Sequence, residues 1–118
     1  MNYEKLAEKY LNYEKISDEE FNFLIESIEN KIINQEPIVG LDVKLLLDAD
    51  FISWSDNQII DTANHGWIKY LCPILIRDEW YGIELYYHDD RGWNTDIDTQ
   101  VLKRIDKRKV EIERWEYI

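Results

Sequence analysis

The chain has 118 residues, a formal net charge of −11, 45% hydrophobic and 14% aromatic residues, and a single cysteine, Cys72. That length fits one domain. The aromatic content, with 17 isoleucines, excludes intrinsic disorder, and a lone cysteine excludes an intramolecular disulfide and points to a reducing compartment. No apolar run approaches the roughly 18 residues of a membrane span, and MNYEKLAEKY lacks the basic and apolar regions of a secretory signal. The expected location is therefore cytoplasmic, without membrane contact.

Tyr3, Leu6, Ala7, Tyr10 and Leu11 recur at helical spacing opposite Glu4, Lys5, Glu8 and Lys9, which predicts a short amphipathic helix over 3–13. A stronger start signal follows. In ISDEEF, Ile16, Ser17, Glu20 and Phe21 fall at N′, N-cap, N3 and N4, a capping box with a hydrophobic staple. Behind it Phe21, Leu24, Ile25, Ile28 and Ile32 form one apolar stripe, while Glu19, Glu26, Glu29 and Asn30 face away. This helix is expected from about Asp18 to Asn34, ending before Pro37, which disfavours helix in the residue preceding it. A short connector makes the pair an antiparallel helical hairpin. The apolar run LDVKLLLDADFISW (41–54) fits a buried helix or a strand equally. A short helix is expected over 56–63, capped by Ser55 or Asp56 and stopped by Asn64 and Gly66.

From residue 68 the pattern turns to β. IKYLCPILI (68–76) is strand-like, with Pro73 arguing for an edge or a strand start. EWYGIELYYH (79–88) alternates, with Ile83, Leu85 and Tyr87 on one face and Glu84, Tyr86 and His88 on the other, and the polar RDE stretch between them has hairpin-loop length. After a loop at 89–98, TQVLKRIDKR (99–108) reads as a short helix with Val101, Leu102 and Ile105 inward. KVEIERWEYI (109–118) reads as a closing strand whose inward face changes near Arg114, which suggests a β-bulge or a strand covered on both sides. The fold class is α+β: one domain over 1–118, an N-terminal helical hairpin packed on a mostly antiparallel sheet, with one inserted short helix near the C-terminus.

YYHDDRGWNTDID (86–98) carries one histidine and four carboxylates. A calcium loop started at Asn94 places Asn94, Asp96 and Asp98 at positions 1, 3 and 5, but Thr99 and Ile105 then occupy the places of the required Gly and Glu. Zinc would need more than His65, His88 and Cys72, none at ligand spacing. No metal and no cofactor is expected. Asp89, Asp90, Gly92 and Asn94 are turn-formers, and Asp96 or Asp98 would cap the helix expected after them. Trp93 either folds back on the core or anchors a protein partner. No catalytic residue is expected. Ser17, Ser27, Ser53 and Ser55 lie outside any GxSxG motif, Cys72 reads as a small buried hydrophobe, and with 25 acids a pair of neighbouring carboxylates is uninformative. KRIDKRK (103–109) holds five of the fourteen cations. Interrupted by Asp106 in an acidic chain, it is a weak nucleic-acid footprint. It fits better the C-terminal turn of a short helix, or a dipole that favours self-association.

The charge is uneven: −9 over residues 1–64 and −2 over 65–118. Such a field repels phosphates and attracts basic protein surfaces, although solubility alone also accounts for acidity. Small, acidic, aromatic-rich chains without catalytic motifs are common among toxin-immunity, antirestriction and phage anti-CRISPR proteins, an analogy of type that no motif carries. The expected function is non-enzymatic: an acidic inhibitor of a basic, nucleic-acid-handling protein, with no direct nucleic-acid contact. Its surface would comprise Glu19, Glu26, Glu29, Asp89, Asp90 and Asp96, with Trp93 as anchor. The alternatives are a small-ligand or enzymatic domain with a pocket lined by Trp54, Trp67, Trp80, Tyr86 and Tyr87, and a homo-oligomeric subunit, such as a homodimer joined through the sheet edge.

Overall fold

The computed structural model describes residues 2–53, 55–96, 99–109 and 113–118, with the backbone alone at 107–109, 113 and 114. Three helices come first, α1 (Tyr3–Leu11), α2 (Asp18–Ile33) and α3 (Gly40–Asp48). Six strands follow: β1 (Gln58–Thr62), β2 (Ile68–Ile76), β3 (Glu79–His88), β4 (Gly92–Trp93), β5 (Lys103–Lys109) and β6 (Glu113–Tyr117). The class is α+β, with every strand pair antiparallel.

The capping box forms. The Glu20 amide donates to Ser17 Oγ at 3.1 Å and the Ser17 amide to Glu20 Oε1 at 2.9 Å. The apolar stripe of α2 does what its spacing predicts: Leu24, Ile28 and Ile32 are fully buried, and Phe21 and Ile25 pack at the core margin. The ambiguous run 41–48 becomes α3. Its Asp42, Val43, Leu45 and Leu46 are all buried, which leaves a narrow Lys44–Asp48 stripe facing out, and over so short an apolar run periodicity does not separate helix from strand.

Each helix ends in the same way. The amides of Tyr13 and Glu14 bond back to Tyr10 and Lys9, those of Gln35 and Glu36 to Ile32 and Lys31, and those of Asp50 and Phe51 to Leu47 and Leu46. These are Schellman ends, whose left-handed residue is usually glycine. Here it is Tyr13 (φ 58°), Gln35 (φ 57°) or Asp50 (φ 60°).

The strand order is β1-β2-β3-β5-β6, with β4 paired to β3 beside β5. β2 and β3 form the longest ladder, from Ile68↔Tyr87 to Ile76↔Glu79. The turn joining them is two residues, Arg77 and Asp78, both at positive φ, the geometry whose twist suits a hairpin. Pro73 lies opposite Gly82 inside β2, but β1 pairs with β2 no further than Leu71. Among the described residues β2 is therefore an edge at Pro73, where proline's missing N–H is tolerated.

Three expectations are corrected. Residues 56–63 hold no helix; QIIDT forms β1, where β-branched Ile59, Ile60 and Thr62 suit a strand. Residues 99–108 hold no helix either: 103–109 is β5, paired with β3 at Tyr81↔Arg104 and Gly82↔Lys103. The segment 109–118 is not one strand. Lys109 ends β5, Glu113 begins β6, and their register runs unshifted from Lys109↔Glu113 to Ile105↔Tyr117, with no bulge at Arg114. Val110 and Ile112 lie outside the described residues, as does Asp98.

One face of the sheet meets the helices. Cys72, Ile74 and Ile76 of β2 and Tyr81, Ile83 and Leu85 of β3 are buried against Leu6, Ala7, Leu24, Ile28, Ile32, Val43 and Leu46. On the other face the β5–β6 hairpin covers a smaller cluster of Leu71, Ile105 and Trp115. Gly82 makes that approach possible. A Cβ there would lie 2.7 Å from Leu71 Cδ1 and 3.0 Å from Ile105 Cγ2.

Candidate partner-binding surface

The acidic side chains of α2 lie on the face opposite the buried stripe. Glu19 and Glu26 are exposed and Glu29 is half-buried. Beside Glu29, Asn30 Oδ1 accepts from Arg77 Nη2 at 2.8 Å, which ties the end of α2 to the β2–β3 turn. Asp89 and Asp90 stand at the opposite end of β3, in the turn leading to β4. Ten residues of strand separate these sites, about 30 Å at ~3.3 Å per residue. Glu29 and the Asp89–Asp90 pair thus stand at opposite ends of β3 and do not form one cluster.

The 86–98 stretch is a tight hairpin tip followed by a crossover. Tyr87 pairs with Trp93 and His88 with Gly92. Gly92 has φ 74°, and the Arg91 amide closes the turn on the His88 carbonyl at 3.1 Å. The Asp90 amide donates to His88 Nδ1 at 3.0 Å, so the ring proton resides on Nε2, which donates to the His65 carbonyl at 2.9 Å. Both nitrogens of His88 are therefore engaged in holding the tip, and its ring packs on Trp67 at 5.2 Å. Asp89, Asp90 and Asp96 are exposed. The Asp96 amide donates to Asn94 Oδ1 at 2.9 Å, a local turn that sets the direction of the crossover. Trp93 is half-buried and folds onto the helix side of the sheet, edge-on to Tyr70 (5.8 Å) and near Tyr87 (5.0 Å).

Among the described residues, none of Glu19, Glu26, Glu29, Asp89, Asp90 and Asp96 makes a side-chain hydrogen bond or ion pair. Other carboxylates are engaged. Glu79 pairs with Arg104, and Glu84 pairs with Lys69 at 3.5 Å and accepts from the Tyr117 hydroxyl at 2.6 Å. Burial and that bond together raise the Tyr117 phenol pKa.

Among the described residues, Asp42 is the fully buried carboxylate. It accepts from Lys31 Nζ and from the Val39 amide, each at 2.9 Å, and from the Tyr3 hydroxyl. Those donors come from α1, α2 and the α2–α3 connector, so an acceptor on α3 ties the three helices together. Sequence reasoning overlooked it; the signal was an aspartate set into the apolar run IVGLDVKLLL.

Gln100 was also overlooked. Its side-chain amide donates to the Glu84 carbonyl and accepts from the Glu84 amide, standing in for a strand on β3 between β4 and β5. Its backbone meanwhile bridges Ile38.

The aromatics proposed as a pocket lining are separated. Trp80 meets Trp115 in a tilted contact at one end of β3 (4.8 Å), Trp67 lies on His88 at the other, and Tyr87 shares the face of Ile83 and Leu85. Tyr86 lies under Lys69 Nζ at 5.4 Å, and Trp54 lies outside the described residues. Burial pushes the Cys72 thiol up to about 12, which keeps it protonated and inert. Among the described residues no cluster of three metal-ligating side chains occurs, and no helix is long and apolar enough to cross a membrane. Comparison with protein-family models, with curated proteins and with solved structures finds no match.

Proposed function

We propose that the protein is a non-enzymatic acidic binding protein that inhibits a basic, nucleic-acid-handling protein, in the manner of immunity, antirestriction or anti-CRISPR proteins. The observation that carries this reading is the set of six carboxylates at positions 19, 26, 29, 89, 90 and 96. They have no intramolecular partner among the described residues, in a chain of net charge −11. Charges left uncompensated on a rigid scaffold project a field into solvent. That field steers a cationic partner and can speed association by about 10- to 1000-fold at low salt. A cleft built to hold phosphates would meet carboxylates in their place. Direct contact with nucleic acid is disfavoured by the same field, and a cytoplasmic location belongs to the same proposal.

The test is affinity capture from the source cells, washed across a salt gradient, with the native chain beside a variant in which the six acids become Gln or Asn. A stoichiometric basic partner that releases as salt rises, and that the variant fails to retain, is the expected result. A partner held equally by both proteins, or no partner at all, refutes the reading.

A further inference from the structure

Asp96, one of the six acids, also borders a concave surface. Two shallow clefts, of about 440 and about 400 Å³, adjoin along the seam of α1 and α3 and share Lys44 as a wall. The first is lined by Tyr10, Tyr13, Glu14 and Asp48. The second runs from Leu11 past Leu41 to Thr95 and Asp96 of the crossover that follows β4. The floor is apolar and the rim acidic. Leu11 is 37% exposed, although helical spacing put it on the inward face of α1. Tyr13 is 89% exposed, held out from the helix end by the Schellman bonds, with Lys44 Nζ over its ring at 5.7 Å. Asp48 accepts from the Tyr10 hydroxyl at 2.7 Å, while the Glu14 and Asp96 side chains have no partner among the described residues.

We propose that this groove is the docking site for a segment of the basic partner that carries an apolar side chain flanked by arginine or lysine. The charges decide the occupant. Glu14, Asp48 and Asp96 face the groove against one cation, Lys44, so the rim has net negative charge and complements a cationic segment. Leu11 and Leu41 offer the apolar contact. Tyr13 supplies what protein-binding hot spots favour, a large amphipathic ring of low entropy. Its ring face already holds an ammonium group, and a guanidinium would compete for the same place. The proposal rests on the acidic-binding reading above and adds to it a location and a ligand chemistry.

The test uses the full chain labelled with nitrogen-15 and two short acetylated probe peptides, one of arginine and leucine, the other of glutamate and leucine. With the arginine peptide at low salt, amide shifts are expected to concentrate at Leu11, Tyr13, Leu41, Lys44 and Asp96, and the glutamate peptide should leave the spectrum unchanged. Tyr13→Gly should weaken the arginine peptide about fivefold while leaving the melting temperature equal or higher, because the position is left-handed. Lys44→Gln should tighten it, since the groove's own cation is removed. Shifts that concentrate instead on residues 89–91 or on the outer face of α2 overturn the groove and leave the acidic-binding reading standing. Absence of any response to the arginine peptide overturns both. A dimer seen by sedimentation and abolished by Tyr13→Gly makes a second copy the occupant and also overturns the proposal.

Discussion

Asp42 is where the three helices converge, and its substitution tests how much the junction contributes. Asp42→Ala removes the acceptor for Lys31, Tyr3 and the Val39 amide at once. A lost hydrogen bond to a charged group is worth about 1.5–3 kcal/mol. Lys31 can still reach water, being 31% exposed, so the penalty of an abandoned buried cation is only partial. A loss of about 2–4 kcal/mol in urea unfolding is expected.

The tyrosine bonds predict a pH dependence. Burial, and then the bond to Asp48, push the Tyr10 phenol up to about 12 from its ordinary 10.0. Burial and the bond to Asp42 raise Tyr3 in the same direction. A group whose folded pKa is raised favours the protonated fold, so its stabilisation is complete below pH 10 and is lost as pH climbs through the folded value. Thermal melts should therefore decline above pH 10, and Tyr10→Phe, which has no proton to lose there, should flatten that decline.

At the scale of elements, the helix ends and the outer hairpin each rest on one position. Gln35 occupies a left-handed C-terminal position that glycine fills without steric penalty. Gln35→Gly should raise stability by about 0.5–1 kcal/mol, read as a higher denaturant midpoint with an unchanged slope. Gly82→Ala should act the other way. Its methyl group would meet Leu71 and Ile105 inside normal contact distance, and the β5–β6 hairpin would have to lift from the sheet. A loss of about 1–3 kcal/mol is expected. Quenching or a spectral shift of the adjoining Trp80–Trp115 pair would report whether the hairpin moves.

At the scale of the whole molecule, a net charge of −11, with six carboxylates that have no side-chain partner among the described residues, makes the folded state self-repelling. Added salt screens that repulsion over a Debye length of about 8–10 Å near physiological ionic strength. The melting temperature should thus rise between low and moderate salt, and the variant with six neutralised acids should start higher and respond less. Loss of partner binding in a variant that is more stable than the native chain would separate function from fold. That combination is expected if these charges are retained for binding.

The chain alone determined the helical hairpin and the central strand pair. In α2 the capping box, the staple and a continuous apolar stripe are local signals that agree. In β2–β3, a strand-like run, an alternating run and a polar turn agree in the same way, although burial is continuous at 71–74 and 81–83, where the β5–β6 hairpin covers the outer face. The separation of Glu29 from Asp89 and Asp90 and the groove at Tyr13 were not legible, because both depend on which ends of which elements meet. Tertiary structure also decided the segments whose local signals conflict. Lys and Arg favour helix over 99–108, yet β3 leaves an open edge at Tyr81 and Gly82, and a strand there pairs with those residues while placing Ile105 over Gly82. Residues 58–62 gain ladder bonds along β2 that an isolated short helix could not match. Local pattern settles an element when its own residues provide its partners; where the partners lie across the chain, only the assembled sheet can decide.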